Sequence, residues 1–147
     1  RVDICELLDE LSHIFQHKAQ KGVSFSVECK FDQLEIFADR KRLFQVLTNL
    51  VSNSIKFTTG GYIKVTADIE EFDGMRMVAV TVEDTGMGIP KEKLDSIFER
   101  FVKLNDLSEG TGLGLTICNS IVQKHKGTIE VKSSYGAGSK FIVRIPA

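Results

Sequence analysis

A chain of 147 residues has the length of one ordinary domain, and its 42% apolar and 27% charged residues are typical of a globular fold and argue against disorder. The 19 basic residues nearly balance the 20 acidic ones, so no overall charge attracts the chain to nucleic acid or to an anionic membrane, and we expect neither contact. No apolar run reaches the length of a membrane span and no signal peptide precedes Arg1, although a start other than Met suits a piece of a longer protein.

The cysteines are odd in number, widely spaced and without metal-ligand spacing; they are Cys5, Cys29 and Cys118. This pattern predicts reduced thiols in a cytosolic setting, each packed as a small core residue.

The first part of the chain predicts helix, strand and helix in that order. Apolar residues recur at helical intervals over 3–20, and Gly22 then ends the helix. Residues 23–27 alternate as a strand, with a short partner over 34–37. A second helix runs over 39–57, with its first residue, an aspartate, as the N-cap.

The middle of the chain predicts a hairpin and then a polar passage. Alternating apolar residues over 63–69 and 78–82 indicate two strands, joined by the turn dipeptide Asp73-Gly74. Residues 84–112 are polar and rich in glycine, with a short helix near 91–101.

The last part of the chain predicts a helix over 113–124, ended near Gly127, and a hairpin of 129–131 with 141–145 through two glycines. Because strands outnumber the crossover connections, we expect an α+β fold with a mixed, largely antiparallel sheet and helices on one face.

A polar stripe marks the second helix. At about 100° per residue, Gln45, Asn49, Asn53 and Lys56 fall within roughly 80°, and apolar residues fill the opposite side. The stripe fits the solvent face of an amphipathic helix. It also fits the floor of a ligand site, since carboxamide oxygens suit Mg²⁺ and a lysine supplies a point charge for phosphates.

Two glycine motifs bear on that choice. Asp84 ends a strand and begins Asp-x-Gly-x-Gly with Gly86 and Gly88, and a carboxylate there could accept from an exocyclic amine. The alternative is a surface turn with an Asx cap, and the motif alone is weak evidence. The second motif, residues 110–115 (GTGLGL), precedes a helix, where free backbone N–H groups favour phosphate. Its spacing is neither the dinucleotide fingerprint nor a Walker loop.

In order and spacing, these motifs resemble the catalytic, ATP-binding domain of bacterial sensor histidine kinases, which share a superfamily with gyrase-type topoisomerases and a chaperone ATPase. DRKRLFQVLTNLVSNSIKFT is similar to the family's N box, DTGMGIP to its first glycine box, IFERF to its F box and GTGLGL to its second glycine box. The resemblance covers residues 1–147 as a single domain, and implies a two-layer α/β sandwich with ATP between the N-box helix and a lid over 103–111.

The resemblance also implies roles for individual residues. Asn53 would bind Mg²⁺, Asn49 would order the site and Lys56 would meet the phosphates. Asp84 would take the adenine amine. The remaining nucleotide-binding positions would be Phe57, Gly86, Gly88, Lys103, Gly110, Thr111, Gly112, Leu113 and Gly114.

In the ATPase branches of the superfamily, a water-activating glutamate stands where this chain has Asn49, and an uncharged amide cannot act as that general base. The resemblance therefore implies transfer of the γ-phosphoryl group to a histidine on a separate dimerisation and phosphoacceptor domain, whose His-Glu/Asp-Leu-Arg segment does not occur here. It implies a homodimer in the full-length protein and a response regulator receiver domain as the next partner. It also implies a cytoplasmic location, which suits the cytoplasmic part of a membrane-anchored sensor.

Other functions stay open at this point: a nucleotide-sensing module without transfer, an ATPase of the same superfamily, or a serine kinase. His13 and His17 lie four residues apart without a third ligand, so we expect an exposed helix surface. His125 is expected in the last turn of its helix, where a cation suits the helix dipole. None of the three is predicted to be catalytic.

Overall fold

The computed structural model describes residues 1–86, 113–134 and 136–147. Within these residues, three helices lie against one face of a five-stranded sheet, and a two-stranded sheet lies beside them. The elements in chain order are β1 (Val2–Asp3), α1 (Ile4–Phe15), β2 (Val23–Cys29), β3 (Glu35–Ile36), α2 (Arg40–Phe57), β4 (Gly61–Phe72), β5 (Met75–Asp84), α3 (Leu113–Lys124), β6 (Thr128–Ser134) and β7 (Gly138–Pro146).

The large sheet has the strand order β2-β4-β5-β7-β6. β2 runs parallel to β4, and the other neighbouring pairs are antiparallel. The prediction of a mixed, largely antiparallel sheet is therefore confirmed. The partner predicted for β2 over 34–37 is wrong, because β3 pairs with β1 instead, with Val2 opposite Ile36.

α1 is shorter than predicted and ends at Phe15 rather than near residue 20. Its buried face consists of residues from Ile4 to Phe15, and every residue over 16–20 is exposed or half-buried, so nothing anchors a further turn. At its start, Asp3 Oδ1 accepts from the backbone N–H groups of Cys5 and Leu34, at 3.0 and 3.1 Å. One carboxylate thus caps α1 and fixes the loop before β3.

α2 forms as predicted. The Asp39 side chain accepts from the backbone N–H of Arg42 at 3.2 Å, which satisfies a free donor of the first turn. Its core-facing residues are almost fully buried: Leu43, Val46, Leu47, Leu50 and Val51. They belong to the same cluster as the inward residues of β4, β5 and β7, so the core lies between the helices and the sheet.

The two predicted hairpins are confirmed. Asp73 and Gly74 join β4 to β5 with φ of 51° and 76°, a left-handed pair that matches the twist of the strands. Gly136 and Gly138, with φ of 89° and 108°, lie in the connection from β6 to β7. A Cβ at Gly138 would lie 2.2 Å from the carbonyl oxygen of Asp84, so β7 can approach the end of β5 only without one.

The other face of the sheet carries a buried arginine. Arg144, 8% exposed, forms ion pairs with Glu70 and Glu130 and lies over the Phe72 ring at 4.3 Å. The hydrogen bond from Arg144 lowers the pKa of Glu130. None of the helices in the described part of the chain is long and apolar enough to cross a membrane.

The prediction of reduced thiols is wrong for two of the three cysteines. Cys5 and Cys29 form a disulfide, with Cα atoms 5.6 Å apart, whereas Cys118 is free and buried as predicted. α1 packs against β2, which brings the start of the helix to the end of the strand. This proximity arises from tertiary packing, so cysteine spacing alone did not reveal it.

Candidate functional site

The carboxylate of Asp84 ends β5 and is only 7% exposed. Its Oδ2 accepts from the hydroxyls of Ser54 on α2, at 2.9 Å, and Ser139 on β7, at 3.1 Å. Its Oδ1 accepts from the backbone N–H of Gly86 at 2.9 Å. Three donors from three parts of the chain therefore orient this one side chain.

The polar stripe of α2 contains side chains in different environments. Asn49 and Asn53 are half-buried, and Lys56 is exposed. Among the residues that the structure describes, the side chains of Asn53 and Lys56 form no hydrogen bond or ion pair. A carboxamide and an ammonium group without protein partners remain available to a ligand, which is the chemistry that a metal and a phosphate require.

Asn49 faces α3 rather than solvent. Its Nδ2 donates to Cys118 Sγ at 3.7 Å, and the thiol in turn donates to the carbonyl of Val46 at 3.8 Å. Burial raises the pKa of the Cys118 thiol to about 11, with the hydrogen bond from Asn49 acting in the opposite direction. Cys118 thus orients the carboxamide of Asn49, a contact for which the sequence gives no signal.

Gly86 lies where α2 ends. A Cβ there would be 2.5 Å from the carbonyl oxygen of Phe57 and 2.9 Å from the Thr58 hydroxyl, so the glycine permits close approach of two backbones. Thr58 Oγ1 is buried and has no hydrogen-bond partner among the described residues. A buried hydroxyl without a partner costs about 1–3 kcal/mol, which favours a further polar group at this end of the site.

Several predicted site residues lie outside the described part of the chain: Gly88, Lys103, Gly110, Thr111 and Gly112. The predicted helix over 91–101 and the lid over 103–111 lie outside it as well. Leu113 and Gly114 are the first two residues of α3, in agreement with a glycine motif at a helix start. The structure thus brings Asp84 and Gly86 to the end of α2. The roles of the glycine residues before α3 remain predictions.

Ser54 and Ser139 were not predicted as site residues. Ser54 had a signal, since it lies three and four residues after the core residues Val51 and Leu50, where a polar side chain needs a buried partner. Ser139 lies opposite Asp84 in the antiparallel pair of β5 and β7, and that register is known only from the fold.

The histidines lie apart from this arrangement. His13 is exposed on α1 near Asp9, as predicted. His17 is exposed as predicted, but it lies beyond the end of α1 rather than on the helix. His125 follows α3 rather than lying in its last turn. Its Nε2 accepts from the backbone N–H of Asp39 at 2.9 Å, and its Nδ1 lies 2.8 Å from the carbonyl oxygen of Ile121. No group of His, Cys, Asp and Glu in the described ranges could hold a metal.

The residues present fit a nucleotide with a metal. A buried carboxylate that accepts hydrogen bonds suits an exocyclic amine, and the unpartnered carboxamide and ammonium group of α2 suit Mg²⁺ and phosphate oxygens. The buried Thr58 hydroxyl adds a polar atom at the C-terminal end of α2, next to Gly86.

Comparisons with known proteins agree with this geometry. Residues 38–147 match the family described as histidine kinase-, DNA gyrase B-, and HSP90-like ATPase. The chain is 43% identical over 133 residues to the autoinducer 2 sensor kinase/phosphatase LuxQ of Vibrio harveyi, a match that covers 86% of this chain and 16% of that protein. The chain thus spans less than a fifth of that relative.

Two solved structures are similar to the chain. The nucleotide-free catalytic domain of the histidine kinase ThkA has a TM-score of 0.81 and 37% identity, over 97% of this chain and 93% of that one. Full-length ShkA in complex with AMPPNP has a TM-score of 0.84 and 33% identity, over 99% of this chain and 30% of that one.

Proposed function

Because this chain belongs to the histidine kinase-, DNA gyrase B- and HSP90-like ATPase family, as the catalytic ATP-binding domain of a sensor histidine kinase, we propose that it donates the γ-phosphoryl group of Mg·ATP to a histidine on a separate dimerisation domain. The observation that carries the proposal is the Asp84 carboxylate, held by Ser54 and Ser139 next to α2, on which Asn53 and Lys56 have no partner among the described residues. The residue proposed to recognise the base thus contacts the helix whose residues are proposed to bind the metal and the phosphates.

Each residue has a role in this proposal. Asp84 accepts from the exocyclic amine of adenine, with Gly86, Gly88 and Phe57 beside the base. Asn53 coordinates Mg²⁺ and Lys56 neutralises phosphate charge. The phosphates are enclosed by Lys103 and by the loop residues Gly110, Thr111, Gly112, Leu113 and Gly114. When bound, Mg²⁺ supplies charge neutralisation for phosphoryl transfer.

Asn49 favours transfer over hydrolysis. A general base must take a proton from the attacking water, and a carboxamide has no such capacity at neutral pH. Its N–H group is moreover directed at the Cys118 thiol. The nucleophile is then expected from outside the chain, since no His-Glu/Asp-Leu-Arg segment occurs in its sequence and both ring nitrogens of His125 are engaged.

The partners follow from this assignment. Residues 1–147 act as one catalytic domain, and the dimerisation domain that carries the acceptor histidine, a homodimer in the full-length protein, is its immediate partner. A receiver domain of a response regulator is the next acceptor. The proposed location is cytoplasmic, because ATP is available there; the Cys5–Cys29 disulfide would be exposed to reducing conditions in that compartment.

The test is a transfer assay with radiolabelled ATP, the chain and an acceptor-bearing dimerisation domain, fused or in trans. We expect acid-labile, base-stable phosphate on the acceptor domain, and its loss in Asn53→Ala, which removes the proposed metal ligand. Ser52→Ala is the matched control, because Ser52 is exposed on the same helix. Transfer that persists in Asn53→Ala would refute the metal site. ATP binding without any transfer would favour a nucleotide-sensing module, and phosphoserine a serine kinase.

A further inference from the structure

Ser54 is a buried hydroxyl on the core side of α2, only 3% exposed, and it lies within the N-box segment without a role assigned to it there. Its Oγ donates to Asp84 Oδ2 at 2.9 Å. This contact links α2, which carries Asn53 and Lys56, directly to the strand that carries the carboxylate.

Two of the three donors to the Asp84 carboxylate contact Oδ2, and one contacts Oδ1. An ionised carboxylate offers about four acceptor positions, two on each oxygen. Ser54 and Ser139 occupy those of Oδ2, and the Gly86 N–H occupies one of Oδ1. Among the residues that the structure describes, one acceptor position is therefore left without a donor, on Oδ1, and it suits a single N–H donor.

We propose that Ser54 is a positioning residue that fixes the rotation of the Asp84 carboxylate and thereby sets the preference for a 6-amino purine over a 6-oxo purine. The inference rests on the proposed nucleotide binding. A 6-amino group donates to the remaining position of Oδ1, whereas a 6-oxo group brings a second acceptor against it. Without Ser54, only Ser139 holds Oδ2, and the carboxylate can turn away from the base.

A purely structural role for Ser54 would have a different signature. Ser54→Ala keeps the helix, since alanine is the better helix former, and any loosening of α2 would weaken every nucleotide alike. A positioning role weakens only the ligand whose 6-substituent donates to Asp84. The ratio of two affinities therefore separates the two explanations.

The experiment is titration calorimetry of the nucleotide-free chain with ATP and with inosine triphosphate, which differs in the 6-substituent. For Ser54→Ala we expect ATP affinity to fall about fivefold, the net value of one hydrogen bond, with less than a twofold change for inosine triphosphate. Ser139→Ala should lower the same ratio, because it removes the other hydroxyl on Oδ2. Ser52→Ala, on the exposed side of α2, should change neither affinity.

The outcomes separate this inference from the proposed function. A wild-type chain that prefers ATP, with the same preference in Ser54→Ala, overturns the inference and leaves the function intact. Equal losses for both nucleotides in Ser54→Ala, at unchanged melting temperature, also overturn it. A wild-type chain that binds neither nucleotide, or binds both equally, overturns the role of Asp84 and the inference together.

Discussion

Asp84 is held by three hydrogen-bond donors, so its chemistry is sensitive to replacement by a carboxamide. In Asp84→Asn, the carboxamide oxygen would keep accepting from the two serine hydroxyls. The NH₂ group would then face the Gly86 N–H and the amine of the base. Donors would then face donors, at a cost of about 1–3 kcal/mol, so ATP affinity should fall by roughly one to two orders of magnitude.

Titration calorimetry measures that loss. Glu83→Gln is the control, because Glu83 is the neighbouring residue and its partner is Lys140, 3.8 Å away, rather than the site. Unchanged ATP affinity in Asp84→Asn would exclude Asp84 from base recognition.

Cys118 predicts a pH dependence at the residue scale. Burial raises its pKa from an ordinary 9.0 to about 11, so the folded chain keeps the thiol proton to higher pH than the unfolded chain does. The stabilisation is complete below pH 9 and is lost as the pH rises toward about 11, to a total of ~2–3 kcal/mol at most.

Urea unfolding of the wild type and of Cys118→Ala across this range separates the thiol from lysines and tyrosines that titrate nearby. The wild type should lose more stability than the variant between those pH values. Parallel pH profiles of the two proteins would contradict the role of the buried thiol.

At the scale of elements, the disulfide between Cys5 and Cys29 joins α1 to β2 across 24 residues of sequence. A cross-link that closes a loop of this length restricts the unfolded chain and contributes ~3 kcal/mol. Reduction should therefore lower the melting temperature, and Cys29→Ala should lower it by a similar amount in the absence of reductant.

Differential scanning calorimetry with and without reductant tests this prediction. Cys118→Ala, which leaves the disulfide intact, should keep the full response to reductant, whereas Cys29→Ala should have none. Equal melting temperatures of the reduced and oxidised wild type would rule out a stabilising cross-link.

The elements also show what the sequence could predict. α2, both hairpins and α3 follow from caps, turn dipeptides and apolar period, which are local signals. The end of α1 and the pairing of β3 with β1 depend on which residues are buried and which strand is near, and both are tertiary properties. For the same reason Asp84 was predicted from its motif, whereas Ser139 and the contact of Cys118 with Asn49 required the register and the packing of helices.

At the scale of the whole molecule, the proposed function gives the chain a nucleotide site and takes the nucleophile from another domain. The proposed acceptor lies on another domain, in agreement with a chain that spans 16% of the LuxQ relative. Catalysis of phosphoryl transfer is mostly positioning and charge neutralisation, so a nucleotide held without an acceptor should remain intact.

Purified alone, the chain should therefore bind Mg·ATP, hydrolyse it very slowly and take up no acid-labile phosphate. Release of labelled phosphate measures hydrolysis, and filter binding after acid or base treatment measures incorporation. Asn49→Glu is the informative variant, because it places a carboxylate where the ATPase branches are expected to have their general base. If the lack of a carboxylate at residue 49 is what keeps ATP hydrolysis slow, the hydrolysis rate should rise in Asn49→Glu. Rapid hydrolysis by the wild-type chain would instead favour an ATPase, in which a group other than residue 49 activates the water.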